Sequence, residues 1–127
     1  PLAPNWGYEN RTTAIRIPGG DHRAIRIEHR VAGADANVYL TVAAILAGAL
    51  YGIENTLAAP QAVVGDAGDV EAVLPHFWQD ALEVFEQSDF IGDYLGAELQ
   101  KTFSLCKRKE KSEFDSRVTL LEYDAYL

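Results

Sequence analysis

Apolar and polar positions alternate most clearly along Arg23-Ala24-Ile25-Arg26-Ile27-Glu28-His29-Arg30-Val31. A period of two is that of a β-strand with one face on a core. The segment Arg11-Thr12-Thr13-Ala14-Ile15-Arg16-Ile17 is β-branched and partly alternating, and Pro18-Gly19-Gly20-Asp21 between them is a turn signal. The pattern predicts an antiparallel hairpin. On its second strand Arg26, Glu28 and Arg30 share one face, and Ile25 and Ile27 the other, which is expected to fix the strand to a core.

The pattern changes after Gly33. Asp35 or Asn37 is placed to cap a helix from Val38 to Tyr51, and no charge occurs from Ala36 through Ile53, eighteen residues. That length reaches the lower edge for a membrane span. The stretch is rich in Ala and lacks basic flanks, so the prediction is a helix buried on all sides in a larger protein. Residues 54–74 read as an irregular connection. Pro75 is placed to open a helix with Phe77, Trp78, Ala81, Leu82 and Phe85 on one face. Ser88 or Asp89 starts a short helix carrying Phe90, Ile91, Tyr94 and Leu95, stopped by Gly96. A last helix is expected from about Ala97 past Val118, burying Leu99, Phe103, Cys106, Phe114, Val118 and Leu121. The fold class is therefore α+β: a short antiparallel β-hairpin (residues 1–33) followed by about four helices (residues 34–127).

Composition narrows the function. The 127 residues are 48% hydrophobic, enough for a core in one domain, and carry a net charge of −8. An acidic balance opposes sequence-independent nucleic-acid binding. One cysteine, Cys106, excludes an internal disulfide and a multi-thiolate metal site, and fits a reducing compartment. The chain contains no Met and begins Pro-Leu-Ala-Pro, so a fragment or processed product is expected. Charge is uneven: residues 1–30 sum to +2 and the remainder to −10. All five bases of the first segment are Arg, whose planar fork matches phosphate and carboxylate geometry. The run Lys107-Arg108-Lys109-Glu110-Lys111 is most simply a solvated helix face.

Glu28 between Arg26 and Arg30 is explained by ion pairing alone. It also suits a hard cation such as Mg²⁺ or Mn²⁺ bridging to phosphates, but one carboxylate does not build such a site. His22 and His29 project to opposite strand faces, and His76 sits at a helix start. Arg11, Arg16, Arg26 and Arg30 on paired strands are suited to neutralising a triphosphate and an anionic substrate together. No phosphate-binding Gly loop of the strand–loop–helix type is present.

The blocks Asn5-Trp6-Gly7-Tyr8-Glu9-Asn10-Arg11-Thr12-Thr13-Ala14-Ile15-Arg16-Ile17-Pro18 and Arg26-Ile27-Glu28-His29-Arg30-Val31-Ala32-Gly33-Ala34-Asp35-Ala36-Asn37 resemble the C-terminal third of the glutamine synthetase family. Ala43-Ala44-Ile45-Leu46-Ala47-Gly48 and Gly52-Ile53 continue the resemblance. It implies ATP-dependent ligation: glutamate is phosphorylated on its γ-carboxylate, and ammonia or an amine displaces the phosphate. By the same resemblance Arg11 and Arg30 contact glutamate and the transferring phosphate. Arg16, Arg23 and Arg26, with Arg11, line the ATP side, and Glu28 is one carboxylate ligand of Mg²⁺ or Mn²⁺. A cytoplasmic homo-oligomer is implied for the intact protein, with no nucleic-acid or membrane partner.

His29-Arg30-Val31-Ala32-Gly33-Ala34-Asp35 is more similar to the γ-glutamylpolyamine synthetase branch than to housekeeping enzymes. Val38 stands where Pro is usual, Arg23 where Lys is frequent, and Ile25 where Arg is frequent. The family's N-terminal β domain and its upstream carboxylate and His motifs are not in the sequence, so the 127 residues alone are expected to be inactive. The competing expectation is a non-enzymatic helical interaction module that binds a partner through Val38–Leu50.

Overall fold

Asn10 folds the chain back on itself before any long strand forms. Its Oδ1 accepts from the Thr12 amide and hydroxyl (3.0 and 2.6 Å), while the Thr13 hydroxyl bonds Asn10 O and Ile15 O (2.9 and 2.8 Å). Such local bonds compete with a ladder, so the strand expected from Arg11 begins only at Ile15. The structure, a computed structural model, describes residues 1–68 and 71–126. Among them lie β1 (Trp6–Tyr8), β2 (Ile15–Ile17), β3 (Glu28–His29), α1 (Val38–Glu54), α2 (Trp78–Gln87), α3 (Asp89–Leu95), α4 (Ala97–Asp115) and α5 (Leu120–Tyr126). The chain divides into two compact units, residues 1–75 and residues from 76 onward.

In the first unit, the sheet order is β1-β2-β3. The expected antiparallel pairing is present as Ile15↔His29 and Arg16↔Glu28. It is joined by a strand not expected: β1 runs parallel to β2, with Trp6↔Ile15 and Tyr8↔Ile17. The connection after α1 travels alongside β1. Val63 N donates to Trp6 O, the Trp6 indole to Pro60 O at 2.7 Å, and the Asn10 side-chain amide to Gly65 O at 2.7 Å. Gly7 permits this crossing, because a Cβ there would lie 2.8 Å from Val63 O. Thr13, Ala14 and Ala67 are buried where these segments meet. Residues 69 and 70 of the expected connection lie outside the described residues.

Two expectations for this unit are corrected. Ile25 and Ile27 are 63% and 56% exposed, so their face is not fixed to a core here, and β3 shrinks to two residues. α1 is capped by Asn37, whose Oδ1 accepts from the Tyr39 and Leu40 amides, yet only its Ala47 is buried. An apolar helix needs cover on every side, and Val42, Leu46 and Leu50 remain exposed. No helix among the described residues is long and apolar enough to cross a membrane.

In the second unit, α2 and α3 both pack on α4. Leu82 and Ser104 are buried, and the rings of Phe85 and Phe103 lie 5.3 Å apart. Phe77 forms the N-cap of α2 and is exposed, so Pro75 precedes the helix rather than opening it. Ser88 caps α3, and Gly96, at φ 91°, breaks the path between α3 and α4 as expected. The Gln100 side-chain amide donates to three carbonyls, Phe85 O, Glu86 O and Ser88 O, satisfying the end of α2 from α4. The expected single last helix is two. α4 ends at Asp115, and Thr119 starts α5 by exchanging bonds with Glu122, a capping box. Cys106, Phe114, Val118 and Leu121 are exposed, not a buried stripe. Lys107, Arg108, Lys109 and Lys111 pair with Glu110, Glu86, Glu113 and Asp115, as suits a solvated face.

Candidate functional site

The register Arg16↔Glu28 sets a cation opposite an acid on one sheet face, and the two side chains meet: Arg16 Nη1 donates to Glu28 Oε2 at 2.7 Å. Arg26 Nη2 donates to the other oxygen, Oε1, at 2.8 Å, and its Nη1 to Ala24 O. Glu28 is therefore held from both sides. Arg16 is held in turn. Its Nη2 donates to Glu9 Oε2 at 2.5 Å, and the second oxygen of Glu9 accepts from the Gly19 amide in the turn after β2. Glu9 reaches back because it leaves β1 in the left-handed region, at φ 50°.

The result is an alternating row, Glu9–Arg16–Glu28–Arg26, with equal numbers of each charge. The Arg16 side chain is only 13% exposed, and its Nε is buried with no partner among the described residues. The Arg16 hydrogen bond, ahead of that from Arg26, holds the Glu28 carboxyl below the usual carboxylate range. The Gly19 amide and then Arg16 do the same for Glu9, and Glu28 and Glu9 raise Arg16.

The other predicted residues are not drawn into this row. Among the described residues, Arg11, Arg23 and Arg30 are exposed and form no ion pair. Arg30 continues the sheet through its backbone, its amide donating to Ala14 O. Arg23 lies in the turn, its amide bonded to Asp21. Arg11 lines an open cleft of about 330 Å³ with Tyr8, Glu9, Asn10 and residues 62–65. Sequence reasoning missed Glu9, which it counted only as a charge. Its place beside Arg16 follows from the parallel β1–β2 pairing, which leaves no alternation to read over three residues.

The donors present fit a divalent cation in part. Each Glu28 oxygen accepts one guanidinium N–H and retains a second lone pair. Glu28 thus suits one hard-cation ligand. No group of three His, Cys, Asp or Glu side chains converges among the described residues.

Residues 1–126 match the family described as glutamine synthetase, catalytic domain. The chain is 41% identical, over 98% of its length, to the gamma-glutamylputrescine synthetase PuuA of Escherichia coli (strain K12), of which it covers 26%. It is 37% identical over 94% of its length to gamma-glutamylethanolamide synthetase GlnA4 of Streptomyces coelicolor, again covering 26% of that protein. It is 32% identical over its whole length to a glutamine synthetase of Thermotoga maritima, covering 31%. The chain spans about a quarter to a third of these relatives.

Proposed function

The chain belongs to the glutamine synthetase family, and from that membership we propose that it is the C-terminal portion of the catalytic domain of an ATP-dependent glutamate–amine ligase. The reaction has two steps. A γ-carboxylate oxygen of glutamate attacks the terminal phosphorus of ATP, and ADP leaves. The nitrogen of an amine or ammonia then attacks the γ-glutamyl phosphate, phosphate departs, and a proton is lost from nitrogen.

In this reading Arg11 and Arg30 hold glutamate and the negative charge that develops on the transferring phosphate. Both carry exposed guanidiniums that pair with no acid among the described residues. Arg23 and Arg26 face the nucleotide phosphates, and Arg16 belongs to the same side. Positioned guanidiniums lower the barrier because they meet the charge of the transition state without reorganising. Glu28 supplies one carboxylate to Mg²⁺ or Mn²⁺, which when bound neutralises phosphate charge. An amine acceptor is favoured over ammonia by the names of two of the relatives, which specify putrescine and ethanolamide products. The intact ligase is proposed to be a cytoplasmic homo-oligomer, and the 127 residues alone to be inactive.

The observation that carries this reading is the held carboxylate: Glu28 is fixed by Arg16 and Arg26, and Arg30 is exposed two residues further on. In the full-length protein, Arg30→Ala is expected to abolish glutamate-dependent ATP turnover with little change in thermal stability. Retained turnover would remove Arg30 from the reaction. Assaying putrescine, ethanolamine, other amines and ammonia against the full-length protein identifies the acceptor. Glutamate-dependent ATP hydrolysis by residues 1–127 alone would refute their inactivity.

A further inference from the structure

Arg16 and Glu28 make a single hydrogen bond where an arginine and a carboxylate commonly make two. The preferred geometry is a fork on a fork, with both carboxylate oxygens engaged by one guanidinium. Here one amino group of Arg16 goes to Glu28 and the other to Glu9. Glu9 is itself well anchored, because its second oxygen accepts from the Gly19 amide and the carboxylate is fixed at both ends. It also sits at φ 50°, a region that costs a side-chain-bearing residue energy and persists only when the surroundings over-determine it.

We propose that Glu9 is a positioning residue that, by taking one arm of Arg16, keeps Arg16 on a single oxygen of Glu28 and leaves that carboxylate able to coordinate a divalent cation. The inference rests on the ligand role proposed for Glu28 and adds a residue that acts through another. Without Glu9, the Arg16 fork closes on both Glu28 oxygens. It then competes with Arg26 for Oε1 and takes up one of the two lone pairs left to a cation.

The test measures Mn²⁺ binding to the full-length protein without nucleotide, by the electron paramagnetic resonance signal of free Mn²⁺. Glu9→Ala is expected to weaken binding about tenfold, the lower end of what loss of an outer-shell partner costs. Glu9→Gln keeps an acceptor for Gly19 but loses the charge that competes for Arg16, and is expected to weaken it about threefold. In an Arg16→Gln background, Glu9→Ala should change the dissociation constant by less than about twofold, because the route through Arg16 is gone. An equal loss in both backgrounds would mean that Glu9 acts only by clamping the turn, and would overturn the proposal. Binding by Glu9→Ala as tight as wild type would overturn it too. Glu28→Gln separates the two levels of inference. If it binds Mn²⁺ like wild type, the ligand role of Glu28 falls and this proposal with it. If it loses a site that Glu9→Ala retains, only the present proposal fails.

Discussion

Residues 1–75 are tied together by hydrogen bonds between segments more than fifty positions apart, whereas residues from 76 onward are tied by packed helix faces and pairs a few turns apart. In the first unit Asn10, Trp6 and Thr12 each reach the 60–67 segment, and the buried side chains are small. In the second, Leu82 and the Phe85–Phe103 contact fill the space between helices, and charges pair mostly along α4. The difference teaches where each unit is vulnerable. A polar junction concentrates its stability in a few atoms, while a charged helix face spreads it thinly over many.

The comparison is sharpest at Asn10. Asn10→Ala should destabilise the first unit by about 2 kcal/mol, since it removes bonds to Val63 O, Gly65 O and the Thr12 turn. Trp6 and Trp78 lie one in each unit, so with the other replaced by Phe each reports its own urea transition. Only the Trp6 transition should move; an equal shift of both would break the distinction. Asn37→Ala should cost about 1 kcal/mol, the usual worth of an N-cap, and appear as lost helicity by circular dichroism. Arg108→Ala removes a two-bond pair with Glu86, but at the surface, so the Trp78 midpoint should shift less than the Trp6 midpoint does for either asparagine.

The smallest effect is acid sensitivity of the second unit. Arg108 lowers Glu86, and the Thr119 amide and hydroxyl lower Glu122, from an ordinary value of 4.5. A carboxyl lowered in the folded state stabilises above its unfolded value and loses that contribution as pH falls through its folded one. The Trp78 midpoint should therefore hold from pH 7 to about 5 and decline below 4.5. A midpoint that rises on acidification would contradict these pairings.

Much of the fold was legible in the residues. Period-two alternation located the β2–β3 pairing, and Gly96 announced the break before α4; of the two candidates for each cap, Asp35 or Asn37 and Ser88 or Asp89, Asn37 caps α1 and Ser88 caps α3. What was not legible has physical reasons. β1 is three residues long and depends on distant carbonyls, so it leaves no periodicity. The last helix was expected to run past Val118 because its apolar stripe continues, and the Thr119–Glu122 capping box that starts α5 went unread. Periodicity shows which face of a helix is apolar, not whether anything lies over it. Hence Phe114, Val118 and Cys106 were expected inside and are found outside. At the site, spacing offered Glu28 both Arg26 and Arg30, and among the described residues only Arg26 of these two pairs with it, whereas the Glu9–Arg16 pair required the strand order.

The two hydrogens of the Gln100 head are shared among three backbone oxygens. Spontaneous deamidation at this position would replace its nitrogen with an anionic oxygen. Three attractions would then become three repulsions at the junction of α2, α3 and α4. Chemical ageing of one side chain, with no mutation in the gene, would thus weaken that junction.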